Sequence, residues 1–260
     1  MNSGSSGFLV KGYRLISPVL EPRFLWRGLI GYPRYVMDLL RYRRLIKAAG
    51  QKTEFELFPC LHDWTSQTGF DPHYTYLSYW ATKQLERIDA AHSHVDVGSQ
   101  ISWVVSISAK RPVIFIDIRP FVSHLPDLEV RKGSILDLPF PDQSVASLSC
   151  LHVAEHIGLG RYGDPLDPDG TKLAAFELSR VLAPGGRLLF ALPVGRERVC
   201  FNAHRVHCPS TIIDYFAQAG LVLSEFAVVD DARVFHAKAD PKSLESAEYG
   251  CGMFTFERPR

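Results

Sequence analysis

The chain has 260 residues, 46% of them apolar, and a formal net charge of +1 at pH 7. That length holds one well-buried α/β domain with an extension, or at most two small domains. The near-neutral balance carries no global signature of nucleic-acid binding, and no run reaches the ~18 consecutive apolar residues that cross a bilayer.

Five cysteines, Cys60, Cys150, Cys200, Cys208 and Cys251, make an odd number without a C-x-x-C pair. They predict neither a disulfide framework nor a zinc knuckle, but small apolar side chains in a reducing cytosol. The N-terminus has no secretory apolar region, so the expected location is cytoplasmic.

In chain order, residues 1–7 read as a linker or lead-in, with Asn2-Ser-Gly-Ser-Ser-Gly7 outside any fold. From Lys11 to Lys47 arginines and lysines interleave with Phe24, Leu25, Trp26, Leu29, Ile30, Leu39 and Leu40. Pro33 is expected to divide this stretch into two short helices, because it disfavours helix at the residue before it. A basic amphipathic segment of this kind either lies on an anionic membrane surface at the inner face or caps the main domain with its arginines solvated. Residues 8–92 are therefore expected to be a basic, aromatic-rich helical extension, followed by a domain over 93–260. Within that extension 51–92 predicts a loop and then a helix, opened by Pro72-His73-Tyr74 and continued at near-helical spacing by Leu77, Trp80, Ala81 and Leu85.

Strands and helices alternate from there. His94–Gly98 is a strand ending in glycine, 101–109 a helix, and Pro112–Asp117 a buried strand ending in an acid. Leu128–Lys132 and Val145–Leu151 are further strands, 171–182 a helix, and Arg187–Leu192 the fifth strand after an Ala183-Pro-Gly-Gly186 turn. A helix over 209–219 ends at Gly220, a C-cap signal. Leu221–Val229 and Gly252–Glu257 close the order as an antiparallel pair at the sheet edge. This alternation predicts an α/β, Rossmann-like, doubly wound, mostly parallel seven-stranded sheet with an antiparallel edge strand. Ligands bind at the carboxyl ends of the strands in such sheets.

His152-x-x-Glu155-His156 follows the fourth strand directly. An imidazole there is a candidate general base near neutral pH, and His152, Glu155 and His156 together are candidate ligands for one divalent ion. A third reading makes Glu155 a helix-start acid and His156 a hydrogen-bonded histidine. The string also has the inverted zinc-peptidase pattern, but that needs a long helix, which Gly158 and Gly160 break. The loop 158–170 is rich in Gly, Pro and Asp and suits an acceptor pocket. In it Arg161 and Tyr162 are candidate substrate contacts and Asp164 a candidate base or ligand. The Asp167 and Asp169 spacing is broken by prolines and lacks a distal Glu, so calcium is not expected. Asn202-Ala-His204-Arg205-Val-His207 follows the fifth strand, which brings His204 and Arg205 to the same edge. His73 and Tyr74 complete the candidate substrate contacts.

Over about 95–257 the residues resemble class I S-adenosylmethionine-dependent methyltransferases. The resemblance rests on strand-Asp96-x-Gly98, on Asp117 about twenty residues on, and on the Leu138-Pro-Phe-Pro-Asp142-x-Ser144 and Leu182-Ala-Pro-Gly-Gly186 turns. It implies that Asp96, Gly98 and Ser99 meet the amino-acid part of the cofactor. It further implies that Asp117 and Ile118 meet the ribose, and Ser134, Ile135 and Asp137 the adenine. Two departures stand out: one glycine of the usual three in the first loop, and Ser134 where the family often has an acid. The chain is also similar to the methyltransferase-like family numbered 268 among domains of unknown function. That similarity is carried by His73-Tyr-Thr-Tyr-x3-Trp80-Ala81, Ile116-Asp-Ile-Arg-Pro120, His156-Ile-Gly-Leu-Gly-Arg-Tyr-Gly-Asp-Pro165 and Phe201-Asn-Ala-His-Arg-Val206. Members look like enzymes of surface-glycan gene sets, which implies O-methylation of a sugar or glycan precursor. The alternatives are a non-catalytic scaffold of a glycan-assembly complex, and sugar chemistry on the same fold without this cofactor.

Overall fold

A computed structural model describes residues 22–61, 64–89 and 92–260 of the chain. The lead-in over 1–7 and the basic positions before Pro22 lie outside the described residues. The chain divides into two compact units between Gly69 and Phe70.

In the first unit, helix α1 (Pro22–Ala48) is continuous and carries Pro33 inside it. The expected break at Pro33 is therefore corrected. Proline removes the hydrogen-bond partner of the Leu29 carbonyl, but Leu29 is exposed, so water can take that bond. Arg34 stacks on Trp64 at 4.4 Å, and Arg43 on Phe55 at 5.1 Å. No helix among the described residues is long and apolar enough to cross a membrane.

The second unit begins earlier than the sequence suggests, because helix α2 (Pro72–Leu85) belongs to it and not to the basic extension. Asp71 accepts the His73 N–H at 2.9 Å and Pro72 opens the helix, a capped start with proline at the first turn. Leu77, Trp80, Ala81 and Leu85 then pack against Trp103, Val104 and Ile107 of α3 (Ile101–Ser108). Buried side chains of this size contribute roughly 1.5–3 kcal/mol each, which outweighs any preference for the preceding loop.

The sheet has eight strands. β1 (His94–Val97), β2 (Val113–Asp117), β3 (Leu128–Lys132), β4 (Val145–Leu151) and β5 (Leu182–Val194) are parallel. β8 (Val222–Val229), β9 (Phe235–His236) and β10 (Gly250–Glu257) complete it in the order β3-β2-β1-β4-β5-β10-β8-β9. β10 runs antiparallel to both β5 and β8. The eighth strand, β9, is a two-residue addition beyond the expected seven. A short hairpin, β6 (Arg198–Cys200) with β7 (His204–Val206), lies outside the main sheet in a stretch the sequence suggested was loop. Helices α4 (Gly170–Val181) and α5 (Pro209–Gln218) cover one face through Ala174, Leu178, Ile212 and Phe216, while α2 and α3 cover the other. The chain leaves β1 toward β2 and β3 on one side and returns to β4 and β5 on the other. The crevice at the carboxyl ends of β1 and β4 is therefore the topological switch point.

The 137–144 turn is held from below. Arg180 donates to the carbonyls of Leu138 and Phe140 and to Asp142, and Glu177 accepts the Leu138 N–H at 2.6 Å. This is why the Asp-Leu-Pro-Phe-Pro-Asp run needs the Glu177-x-x-Arg180 pair on the following helix.

Candidate active site

Asp96 and His94 alternate with Val95 and Val97 on β1, so they point to the α3 face of the sheet. Both are fully buried, as are Ser147 and Ser149 opposite them on β4. His94 Nδ1 lies 2.7 Å from Ser147 Oγ and Nε2 lies 2.7 Å from Ser149 Oγ. Burial and then the nearby Arg111 charge hold this imidazole down to about 3, so it is neutral. Ser149 donates its proton to Asp96 Oδ2. The directions then follow: His94 Nε2–H donates to Ser149, and Ser147 donates to Nδ1. The result is a one-way hydrogen-bond chain ending on the Asp96 carboxylate. Desolvation raises Asp96 to about 6 against the opposing bonds from Ser149 and Ser99.

Above this chain the loop turns at Gly98 with φ 69°, where a Cβ would press on Val153 at 3.1 Å. A side chain there would strain the backbone and crowd the crevice. Asp117 ends β2; its Oδ1 accepts the Arg119 N–H at 2.7 Å, and Oδ2 has no protein hydrogen bond among the described residues. A pocket of about 100 Å³ opens between Gly98, Asp117, Ile118, Ile135, His152 and Val153, under the ring of Tyr162. Arg119 lies 4.4 Å over that ring. Of the cofactor candidates, Gly98, Asp117, Ile118 and Ile135 line the pocket, while Asp96 and Ser99 are buried. Ser134 and Asp137 form a bridge with each other and are not in the lining. Of the three residues that the resemblance assigns to the adenine, the turn presents Ile135 to the pocket.

β4 ends at Leu151, and His152 follows with φ 58°. Its N–H still pairs with the Ala191 carbonyl at 2.8 Å. The ring is turned inward: Nδ1 is 2.9 Å from Glu155 Oε1 and Nε2 3.2 Å from Cys251 Sγ. Burial alone would lower the His152 pKa, but Cys251 and Glu155 outweigh it and raise it well above the usual histidine value. Glu155 is buried with Oε2 lacking any partner. Burial opposes its charge, yet the bond from His152 holds its pKa below the usual carboxylate value. His156 Nε2 stands 3.7 Å from the same Glu155 oxygen, while its Nδ1 meets the Ala203 carbonyl at 2.6 Å. Arg161 donates to that carbonyl too, at 2.9 Å. His204, on β7, is half-buried; desolvation, outweighing the pull of Glu155, lowers its pKa and keeps it neutral near pH 7. Its ring tilts against Tyr249 at 5.4 Å, and Tyr249 stacks on His73 at 5.3 Å.

The structure thus brings His73, Tyr74, His152, Glu155, His156 and His204 together. It gives two other candidates different tasks. The Asp164 carboxylate accepts from the Gly158 and Tyr162 N–H groups at 2.6 and 3.2 Å. Those bonds, against the cost of burial, hold its pKa low. It shapes the loop and is no base. Arg205 is buried, with its guanidinium on the carbonyls of Ile157 and Asp167; it pins the loop and is no substrate contact. Gly158, at φ 80°, meets the Asp167 carbonyl so closely that no Cβ fits.

Sequence reasoning missed Tyr249, Cys251, Arg119 and the His94–Ser147–Ser149 chain. Only the last left a signal, polar residues at alternating positions in two otherwise apolar strands. Among the described residues, the three donors within 4.8 Å of one another are on His73, His152 and Cys251, which share only His152 with the expected set.

Solved structures with this architecture include the N-methyltransferase NodS from Bradyrhizobium japonicum, at 14% identity over 73% of this chain and 98% of that one, TM-score 0.52. The geranyl diphosphate C-methyltransferase of Streptomyces coelicolor, solved with Mg2+, geranyl diphosphate and S-adenosyl-L-homocysteine, aligns at 13% identity over 71% of this chain and 79% of that one, TM-score 0.51. The fold is that of the class I methyltransferases. The [4+2]-cyclase SpnF shares it, at 15% identity over 70% of this chain and 81% of that one, TM-score 0.51. The profile of the family described as a Caenorhabditis protein of unknown function, DUF268, matches residues 142–224, which contain His152 to His207 but not Asp96, Asp117 or Cys251. No curated protein matches the chain.

Proposed function

We propose that the protein is an S-adenosylmethionine-dependent methyltransferase acting on an oxygen of a sugar or surface-glycan precursor. The observation that carries this reading is the Asp117 carboxylate at the end of β2, one oxygen unengaged, beside the open-backbone turn at Gly98 and directly against the imidazole cluster after β4. A vicinal diol matches one carboxylate, and an apolar slot between Ile118 and Ile135 matches a purine. The residues fit the adenosine end of the cofactor. The pocket of about 100 Å³ is below the roughly 300 Å³ of small-molecule sites, so Tyr162 and its loop must swing outward to admit the whole molecule.

Bound there, the cofactor supplies a sulfonium methyl group. The chain's own contribution is alignment and exclusion of water. His152 has both ring nitrogens engaged and Asp164 is consumed by its loop; His204, neutral and half-buried, is assigned to take the acceptor proton. The faces of His73, Tyr74 and Tyr249 suit the apolar side of a sugar ring, and Arg161 suits an acidic one. Helix α1 exposes Leu29, Ile30, Met37 and Leu40 among basic residues, and in this reading it lies on an anionic membrane surface where glycan precursors are assembled.

Calorimetric titration with S-adenosylmethionine and S-adenosylhomocysteine tests the core of the proposal. Micromolar binding, roughly −8 kcal/mol, lost in Asp117→Ala, supports it. Absence of heat from well-folded protein removes methyl transfer and favours sugar chemistry or a scaffold without the cofactor; the SpnF cyclase carries other chemistry on this fold. Co-sedimentation with anionic vesicles, lost on deleting 8–50, tests the membrane contact.

A further inference from the structure

We infer that His73, His152 and Cys251 form a binding site for one late divalent transition-metal ion, zinc foremost. The three donors come from the start of α2, the end of β4 and the start of β10, and all lie within 4.8 Å of one another. Two imidazoles and a thiolate are a zinc-type set, three protein ligands leaving a fourth position open.

Three features outside the trio point the same way. First, His152 Nδ1 meets Glu155 Oε1 at 2.9 Å while Nε2 faces Cys251 at 3.2 Å. A carboxylate behind a ligating histidine fixes its tautomer, with the proton on Nδ1 and the lone pair of Nε2 toward the ion. Second, Glu155 is buried and its Oε2 has no partner. A buried carboxylate and a thiolate together carry two negative charges, which a divalent cation balances. Third, the rings of His73 and His152 are parallel within 10°, and Tyr249 stacks on the outer one at 5.3 Å. His73 also sits at the second helical position after Asp71, whose side-chain oxygen fixes its backbone. His73 is partly exposed while the His152 ring and Cys251 are buried, so an ion enters from the His73 side.

Binding displaces to solvent the protons that His152 Nε2 and the Cys251 sulfur hold without the metal, with no change of oxidation state. If the methyl-transfer reading holds, an ion held by this trio would lower the pKa of an acceptor hydroxyl that binds to it. The site itself does not depend on that reading.

The test uses the full chain, expressed without a histidine tag, stripped with chelator and then titrated with zinc against a chromophoric chelator. About one zinc per chain is expected, with affinity at least about 100-fold weaker in His73→Ala and in Cys251→Ser, and about 10- to 100-fold weaker in Glu155→Gln. Cobalt loading should give a thiolate-to-metal charge-transfer band that Cys251→Ser abolishes and Cys208→Ser keeps. His73→Ala, at a partly exposed helix start, leaves the core untouched, so its result stands even if Cys251→Ser misfolds. Folded wild type that takes up no zinc in competition, or zinc binding unchanged in both His73→Ala and Cys251→Ser, overturns the inference. Because the readout is metal, it separates from cofactor binding, whose loss leaves the zinc result standing.

Discussion

The two sides of the crevice are assembled by different rules. On the β1–β2 side, Asp96, Gly98 and Asp117 sit at the ends of two neighbouring parallel strands, so the sheet register alone sets their spacing. On the β4 side, His73, His152, Glu155, His204, Tyr249 and Cys251 arrive from separate segments and meet only because the tertiary fold closes around them. The first side is rigid by hydrogen-bonded pairing and keeps one carboxylate oxygen unengaged. The second is held by stacked rings and by the contacts of His152 with Glu155 and Cys251. Sites built by register tolerate change in their surroundings, whereas sites built by convergence fail when any one contributor is lost.

The largest expected effect sharpens the first half of that contrast. In the proposed reading Asp117→Ala removes the carboxylate that faces the ribose diol, two charge-assisted hydrogen bonds of about 1.5–3 kcal/mol each. Cofactor affinity should fall by about 100-fold or more, measured by calorimetry, with thermal stability nearly unchanged because Asp117 accepts only the Arg119 N–H. A drop in melting temperature equal to the loss of binding would break the contrast.

Glu155→Ala should behave in the opposite way. It leaves His152 and His156 without the buried carboxylate between them, and breaking a buried pair by removing one partner costs about 3–5 kcal/mol. Urea unfolding should report that loss, with cofactor affinity far less affected. A variant as stable as the parent would mean that the imidazole cluster is not held together by this charge.

How much of this was legible in the chain follows the same division. Strand order, the switch point and the Asp96, Gly98 and Asp117 positions could be read because each depends on local periodicity and on residues a fixed distance apart. Cys251 could not: within β10 it reads as one more small apolar residue, and its partner His152 is distant in sequence. Arg205 and Asp164 misled for a related reason. A charged residue in a loop looks available until the backbone carbonyls and N–H groups it serves are known. Pro33 misled because helix exposure, not local geometry, decides whether an unbonded carbonyl is costly. The boundary before α2 was hidden because an aromatic stripe does not say which core it joins.

The pH dependence of cofactor binding is a medium-sized effect and probes the register-built side. Asp96 has a raised pKa of about 6 in the folded chain. The native state therefore holds a proton that the unfolded chain has lost, and this stability contribution disappears as pH rises from near 4 through about 6. A cationic ligand prefers the ionised form, so affinity for S-adenosylmethionine should rise by up to about tenfold per pH unit below 6 and level off above it. Ser149→Ala removes a hydrogen bond that favours the charged carboxylate, and should move the midpoint upward by about one unit. A midpoint unchanged in Ser149→Ala would mean that the titration belongs to another group.

The smallest effect concerns the roof shared by both sides. Tyr162 lies between Arg119 at 4.4 Å and Arg161 at 5.2 Å, and its ring meets His156 edge-on at 5.8 Å. Each cation–π contact at a partly exposed site is worth about 0.5–1 kcal/mol, so the Tyr162 ring is held only weakly over the pocket and can turn aside to admit a larger ligand. Tyr162→Ala should then speed cofactor association by about three- to fivefold, since the closed form must open before binding, and speed dissociation by at least as much. Tyr162→Phe keeps the ring and should leave both rates unchanged. Stopped-flow binding with S-adenosylhomocysteine separates the cases. If Tyr162→Ala slows association instead, the ring is a contact that captures the ligand and not a cover that has to move, and the loop would belong to the register-built side of the crevice after all.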